Sequence, residues 1–160
     1  MRRRGGLTKG CGIVYNTTMK PPRIVLDTNV LVSALRSKRG ASYRLLMRIG
    51  TDCCEPAVSV PLVLEYEAAA KRLVKDTRLT ARDIEAVIDY TCAQAVASKV
   101  FYLWRPLLRD PKDDMVLEAA VAAGCTHIVT FNGRDFAGAE RFGIKVLTPQ
   151  AFLAEIGANE

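Results

Sequence analysis

The stretch that decides the fold is Arg23-Ile-Val-Leu-Asp27-Thr-Asn-Val-Leu31. Ile24, Val25 and Leu26 form a short continuous apolar run, the pattern of a strand covered on both faces. The run stops on a carboxylate, Asp27, and a helical stretch follows from about Val30 to Leu35. A buried strand that feeds straight into a helix is the opening of a parallel α/β unit.

The rest of the chain repeats that alternation. Arg36 to Gly40 reads as a loop, Ser42 to Ile49 as a helix stopped by Gly50, and Cys53 to Val58 as a second strand. Ser59 caps a helix running to about Val74, with Pro61 tolerated in its first turn. Thr80 caps another from Ala81 to about Ala97, with Ile84, Val87, Ile88 and Thr91 at helical spacing. Lys99 to Trp104 is strand-like, and a loop with Arg105, Pro106 and Arg109 follows. Asp110-Pro111 starts a helix that runs to Ala123 and closes at Gly124. Thr126–Thr130 and Lys145–Leu147 are the last strands, and Pro149–Ile156 is a closing helix. The expectation is an α/β fold with a central, mostly parallel sheet and helices on both faces.

Composition agrees with one ordinary domain. The chain has 160 residues, 49% hydrophobic and 25% charged, which excludes a disordered or collagen-like chain. Its apolar runs are far too short to span a membrane. The net charge of +6, from 23 basic and 17 acidic residues, points towards a polyanionic partner such as nucleic acid. Arg2, Arg3, Arg4 and Lys9 precede Met19 with no acid among them, and without these four the balance is 19 against 17. Residues 1–20 are therefore expected to be a disordered basic leader, or to precede a true start at Met19, with a basic RNA-binding arm as the alternative. The domain proper is placed at 21–157. Five cysteines, an odd number without zinc spacing, read as reduced thiols packed like small hydrophobes in a cytoplasmic protein. His127 is the one histidine and lies in an apolar stretch, so a core or edge role is expected rather than a ligand role.

In an open parallel sheet, sites form outside the carboxyl ends of the strands. Asp27 ends the first strand, and Glu65 lies in the second turn of the helix after the second. Asp113 and Asp114 open the helix after the third, and Asn132 and Asp135 follow the fourth. Carboxylates gathered at one edge repel unless a cation lies among them. Oxygen donors without His or Cys point to Mg²⁺ or Mn²⁺. Asp27 follows a buried run, where an unpaired carboxylate is expensive, although it could instead cap the next helix. Glu65 flanks the stripe Leu62, Tyr66, Ala69 and Leu73, whereas Glu67 points away. Asp110-Pro-Lys-Asp113 has capping-box spacing, so Asp113 is expected to serve the cap and Asp114 the metal. Arg36, Lys38, Arg39, Arg105 and Arg109 lie in loops and are weak candidates for contacts with a phosphodiester backbone.

From about Arg23 to Phe152 the chain resembles the PIN domain, in particular VapC-like toxin components of toxin–antitoxin systems. The carrying motifs are Ile24-Val-Leu-Asp-Thr-Asn-Val-Leu31, Ser59-Val-Pro-Leu-Val-Leu-Glu-Tyr66, Asp110-Pro-Lys-Asp-Asp-Met-Val-Leu-Glu-Ala-Ala120 and Ile128-Val-Thr-Phe-Asn-Gly-Arg-Asp-Phe136. The resemblance implies a three-layer α/β/α sandwich and a Mg²⁺- or Mn²⁺-dependent ribonuclease. Its acids fall on Asp27, Glu65, Asp114 and Asp135, with Thr28, Asn29, Asp113, Thr130 and Asn132 as positioning neighbours. Many members carry Asp where this chain has Asn132, an amide that brings no charge. The resemblance also implies a homodimer held inactive by a small antitoxin. Water activated at such a site would leave a 5′-phosphate and a 3′-hydroxyl. Two other classes fit less well. A phosphatase using Asp27 as nucleophile normally has a second Asp where Asn29 stands, and a non-catalytic RNA- or partner-binding module leaves the acids unexplained.

Overall fold

The computed structural model describes residues 20–100 and 107–158; apart from Lys20, the expected leader lies outside them, as does Arg105. Five strands form one sheet, β1 (Arg23–Leu26), β2 (Glu55–Val58), β3 (Val96–Ala97), β4 (His127–Val129) and β5 (Lys145–Leu147), in the order β3-β2-β1-β4-β5. Every pairing is parallel, with Ile24 opposite both Pro56 and His127, and Leu26 opposite Val129. Ile24, Val25 and Leu26 are buried, as a strand with neighbours on both sides and helices above and below must be.

Six helices fill the connections: α1 (Thr28–Arg36), α2 (Ala41–Leu46), α3 (Val60–Lys71), α4 (Ala81–Gln94), α5 (Pro111–Ala122) and α6 (Pro149–Glu155). The chain steps outward from β1 to β2 to β3, then returns to the other side of β1 for β4 and β5. Right-handed crossovers put connections that run in opposite directions on opposite faces. The result is the expected α/β/α sandwich, and the strand order reverses between β1 and β4.

Local signals set most boundaries. The Ser59 hydroxyl accepts from the Leu62 N–H (3.4 Å), and Pro61 sits in the first turn of α3. Thr80 and Asp83 close a reciprocal capping box at α4. Gly124 has φ +64°, a left-handed conformation that ends α5 at low cost. Pro56 stands in an inner strand, where a missing N–H is normally harmful. The Glu55 N–H goes to the Pro22 carbonyl on the β1 side (2.9 Å), so the missing donor of Pro56 faces the β3 side. Pairing there begins only at Ala57 with Val96.

Two expectations fail at the third strand. The helix expected to reach Ala97 ends at Gln94, where Ala95 turns extended (φ −91°, ψ 149°). The strand lies at Val96–Ala97, not at Lys99–Trp104; Lys99 and Val100 are in no strand, and 101–104 lie outside the described residues. Ser98 explains the shift, because its N–H (2.8 Å) and hydroxyl (3.1 Å) both donate to the Val58 carbonyl. Pairing across the sheet overrides the helix preference of Ala95-Val-Ala97.

The core gathers Leu31, Leu62, Tyr66, Ile128, Phe136 and Phe152. Cys53, Cys54 and Cys125 are buried in it outside any disulfide, and Cys92 is half-buried. His127 is buried, bonded to the Thr126 hydroxyl (2.7 Å) and Glu155 Oε1 (2.9 Å), with its ring edge-on to Phe152. No helix among the described residues is long and apolar enough to cross a membrane.

One buried bond ties α3 to the sheet. Pairing of β1 with β2 stops at Ile24 and Pro56, so the Leu26 carbonyl has no strand partner on that side. The Tyr66 hydroxyl donates to it instead. Tyr66→Phe removes this donor and leaves a buried carbonyl unsatisfied. A loss of about 1–3 kcal/mol is expected, measured by urea unfolding; unchanged stability would mean the bond contributes nothing.

Candidate active site at the switch point of the sheet

Asp27 directly follows β1 and occupies the N-cap position of α1 (φ −67°, ψ 149°) without closing a side-chain cap bond. Its Oδ2 instead accepts from the Thr130 hydroxyl at 2.7 Å, across the β1–β4 pair. Burial raises its pKa, the Thr130 hydroxyl and the N–H groups of Thr28 and Asn29 oppose that, and the charge of Asp135 adds to it. Asp27 is only 8% exposed, and this hydroxyl fixes its orientation.

Thr130 is fully buried and is the hub of a small network. Its oxygen accepts from Asn29 Nδ2 (3.4 Å) and from the Asn132 N–H (3.0 Å). Asn29 Oδ1 in turn accepts from the Phe131 N–H (3.5 Å). Thr28 opens α1 beside Asp27. Asp135 lies in the 3₁₀ turn Gly133–Phe136 after β4, where its N–H bonds the Asn132 carbonyl (3.0 Å).

The start of α5 departs from expectation. Asp110 caps the helix through the Lys112 N–H (2.9 Å), and the Asp113 N–H goes to the Asp110 main-chain carbonyl (3.0 Å). The anticipated reciprocal box does not form, so Asp113 is not spent on the cap. Burial first, then the charges of Asp27, Asp110, Asp135 and Asp114, push Asp113 up to about 6. Asp113 therefore shares a field with Asp27 and Asp135. Asp114 is turned inward and is 2% exposed; its Oδ1 accepts from the Leu108 N–H (2.9 Å), and its Oδ2 is buried without a hydrogen-bond partner. Asp114 thus anchors the segment leading into α5.

Glu65 lies where the helical stripe places it, with its side chain 19% exposed against 42% for Glu67. It pairs with Lys112 Nζ at 3.6 Å, joining α3 to the start of α5. Arg109 is exposed just before α5. Arg36 ends α1, and Lys38 and Arg39 follow it in the loop before α2. α1 has nine residues, so Arg36 ends roughly 13 Å along the axis from Asp27.

The donor set suits a hard divalent cation, because it offers carboxylate oxygens whose mutual repulsion a positive charge would relieve. The buried, unpartnered Asp114 Oδ2 adds to that demand. The acids do not form a closed cage: among the described residues no three metal-ligating side chains converge tightly enough to hold an ion. Spacing gives Asp113 to the cap and Asp114 to the metal; in the structure Asp113 closes no reciprocal cap bond, and Asp114 keeps one buried oxygen without a partner.

No curated protein matches the chain by sequence. Among solved structures, it is similar to a chain of VapBC2 from Rickettsia felis, in a crystal structure bound to a DNA fragment from their promoter. The TM-score is 0.50 at 18% identity, covering 78% of this chain and 96% of that one, so the likeness is one of fold. A PIN domain family model matches residues 23–134, which include Asp27, Glu65, Asp113 and Asp114. With that match over most of its length, the chain belongs to the PIN domain family.

Proposed function

We propose that this chain is a metal-dependent endoribonuclease that hydrolyses RNA phosphodiester bonds, and that it is the toxin of a toxin–antitoxin pair. The observation that carries the reading is the mutual field of Asp27, Asp113 and Asp135, delivered from three elements to the switch point of a parallel sheet. Membership in the PIN domain family supports nuclease chemistry. The fold likeness to a chain of VapBC2 is in keeping with the toxin role and a small antitoxin partner; the homodimer and the cytoplasmic setting rest on the reading of the sequence alone.

Asp27 and Asp113 would hold Mg²⁺ or Mn²⁺, with Asp135 and Glu65 flanking them. Asp114 commits one oxygen to Leu108, as Asp27 does to Thr130, and keeps its Oδ2 for the same ion. A divalent ion bound there supplies a water of lowered pKa and positive charge for the leaving oxygen. The protein does the positioning. The Thr130 hydroxyl fixes one oxygen of Asp27 and leaves the other for the ion. Asn29 and the Asn132 N–H hold Thr130 in that rotamer. Lys112, 3.6 Å from Glu65, keeps that carboxylate at the edge of the site. The Asn29 side chain is occupied by Thr130 and Phe131, which disfavours the phosphatase alternative.

Asp27→Asn is expected to abolish Mn²⁺-dependent cleavage of RNA while the circular-dichroism melt stays cooperative. Full cleavage by that variant would sink the assignment. Wild-type products should carry 5′-phosphate and 3′-hydroxyl ends, read by their susceptibility to ligation.

Asp113 and Asp114 separate by stability. The Asp113 pKa of about 6 lies above its ordinary 3.8, so the folded state binds the extra proton. Its contribution to stability is full below about pH 4 and is lost as pH rises through 6. In EDTA at pH 7.5, Asp113→Asn should therefore raise the melting temperature by about 2–4 °C, after allowance for solvent screening. The gain should vanish near pH 4, and cleavage should be lost. Asp114→Ala should instead leave the Leu108 N–H unpaired and cost about 1–3 kcal/mol. The reverse pattern would leave the ligand role to Asp114 without Asp113.

A further inference from the structure

A cavity of about 310 Å³ opens beside the acids, lined by Leu107, Leu108, Arg109, Arg134, Asp135 and Ala137. Asp135 belongs to the acid site, so the cavity begins where that site ends. Arg109, before α5, and Arg134, in the 3₁₀ turn after β4, both line it. Both are exposed, and neither forms an ion pair with a carboxylate among the described residues. A second cavity of about 120 Å³ shares Leu107, Leu108 and Ala137 with the first. It extends the groove to Leu117, Gly138, Arg141 and the part-exposed Phe142, whose walls leave more polar than apolar surface open. The groove thus runs from carboxylates, past two arginines, to a mixed end walled by leucines, Phe142 and Arg141.

We propose that this groove is the subsite for the nucleotide next to the scissile phosphate of a single-stranded RNA. The inference rests on the nuclease reading of the acid site and adds to it where the neighbouring nucleotide lies. Two arginines on one cavity match the planar, multidentate demands of a phosphate. Leucine and phenylalanine walls beside polar surface and Arg141 suit an unstacked base, which offers an apolar face and a polar edge. The larger volume is at the lower end of small-molecule sites, room for one nucleotide and not for a duplex. Such a pocket reads the base in it, so sequence preference should reside at this position.

Binding is measured with full-length Asp27→Asn protein in EDTA, which cannot cleave, and a fluorescent single-stranded RNA. Arg109→Ala and Arg134→Ala should each weaken binding about tenfold. Each should also make the slope of log affinity against log salt shallower by about 0.7. Arg82→Ala, on exposed α4, should change neither. In the cleaving protein, Leu107→Ala and Phe142→Ala should broaden the base preference beside the cut, read by sequencing product ends. Unchanged affinity and slope in both arginine variants, or an equal loss in Arg82→Ala, overturns the subsite. Loss confined to Arg109 and Arg134, in a protein whose wild type never cleaves RNA with Mg²⁺ or Mn²⁺, leaves an RNA-binding groove and overturns the nuclease reading, together with the groove's place beside a scissile phosphate.

Discussion

The site depends on one hydrogen bond, from the Thr130 hydroxyl to Asp27 Oδ2 at 2.7 Å. A hydroxyl has one proton to give and two lone pairs to receive. Thr130 uses all three, giving to Asp27 and receiving from Asn29 and the Asn132 N–H. Its own N–H is held by the Leu147 carbonyl of β5 (2.9 Å). One residue, through its hydroxyl and its main-chain N–H, therefore couples the ends of β1, β4 and β5 to the start of α1. The bond exists only because β1 and β4 pair with Leu26 opposite Val129, which brings residues 27 and 130 together past the ends of their strands. A slip of one residue would turn Thr130 to the other face of the sheet. The strand register and the orientation of Asp27 are one constraint.

From the other side, α3 meets the same strand end. Tyr66 holds the Leu26 carbonyl, one residue before Asp27, and Glu65 precedes Tyr66 on that helix. The distance from Glu65 to Asp27 is thus set by a buried bond and not by loops. That explains why a tyrosine, rather than an aliphatic residue, follows Glu65 on a buried stripe. The hydroxyl meets a carbonyl that the strand ladder leaves open, and the ring fills the space below.

Much of this was legible because the signals are local. The buried run Ile24–Leu26, the Ser59 and Thr80 caps, and Asp110-Pro111 each state their geometry in a few residues. Two features were not legible, for related reasons. β3 is two residues long and exists through its bonds to β2, which no local pattern encodes. The roles of Asp113 and Asp114 turn on where the Leu108 N–H happens to lie, six residues upstream of Asp114. Spacing alone gave Asp113 a structural role in a capping box. The cap uses the Lys112 N–H instead, and this frees Asp113 to face Asp27 and Asp135.

The charge of the whole chain is a poor guide to its partner, and the arrangement of charges is a better one. Four of the basic residues precede Met19, and the rest nearly balance the acids. A near-neutral domain attracts a polyanion weakly at long range. Its carboxylates repel a phosphate outright unless a cation lies among them. On the proposed nuclease reading, affinity for RNA would come from a few close contacts placed beyond the acids, where Arg109 and Arg134 stand. This division explains why the arginines border Asp135 instead of surrounding it. A guanidinium within the acid cluster would neutralise the carboxylates and remove the repulsion that favours a divalent ion. Set one nucleotide away, it can hold the backbone while the acids keep their demand for the metal.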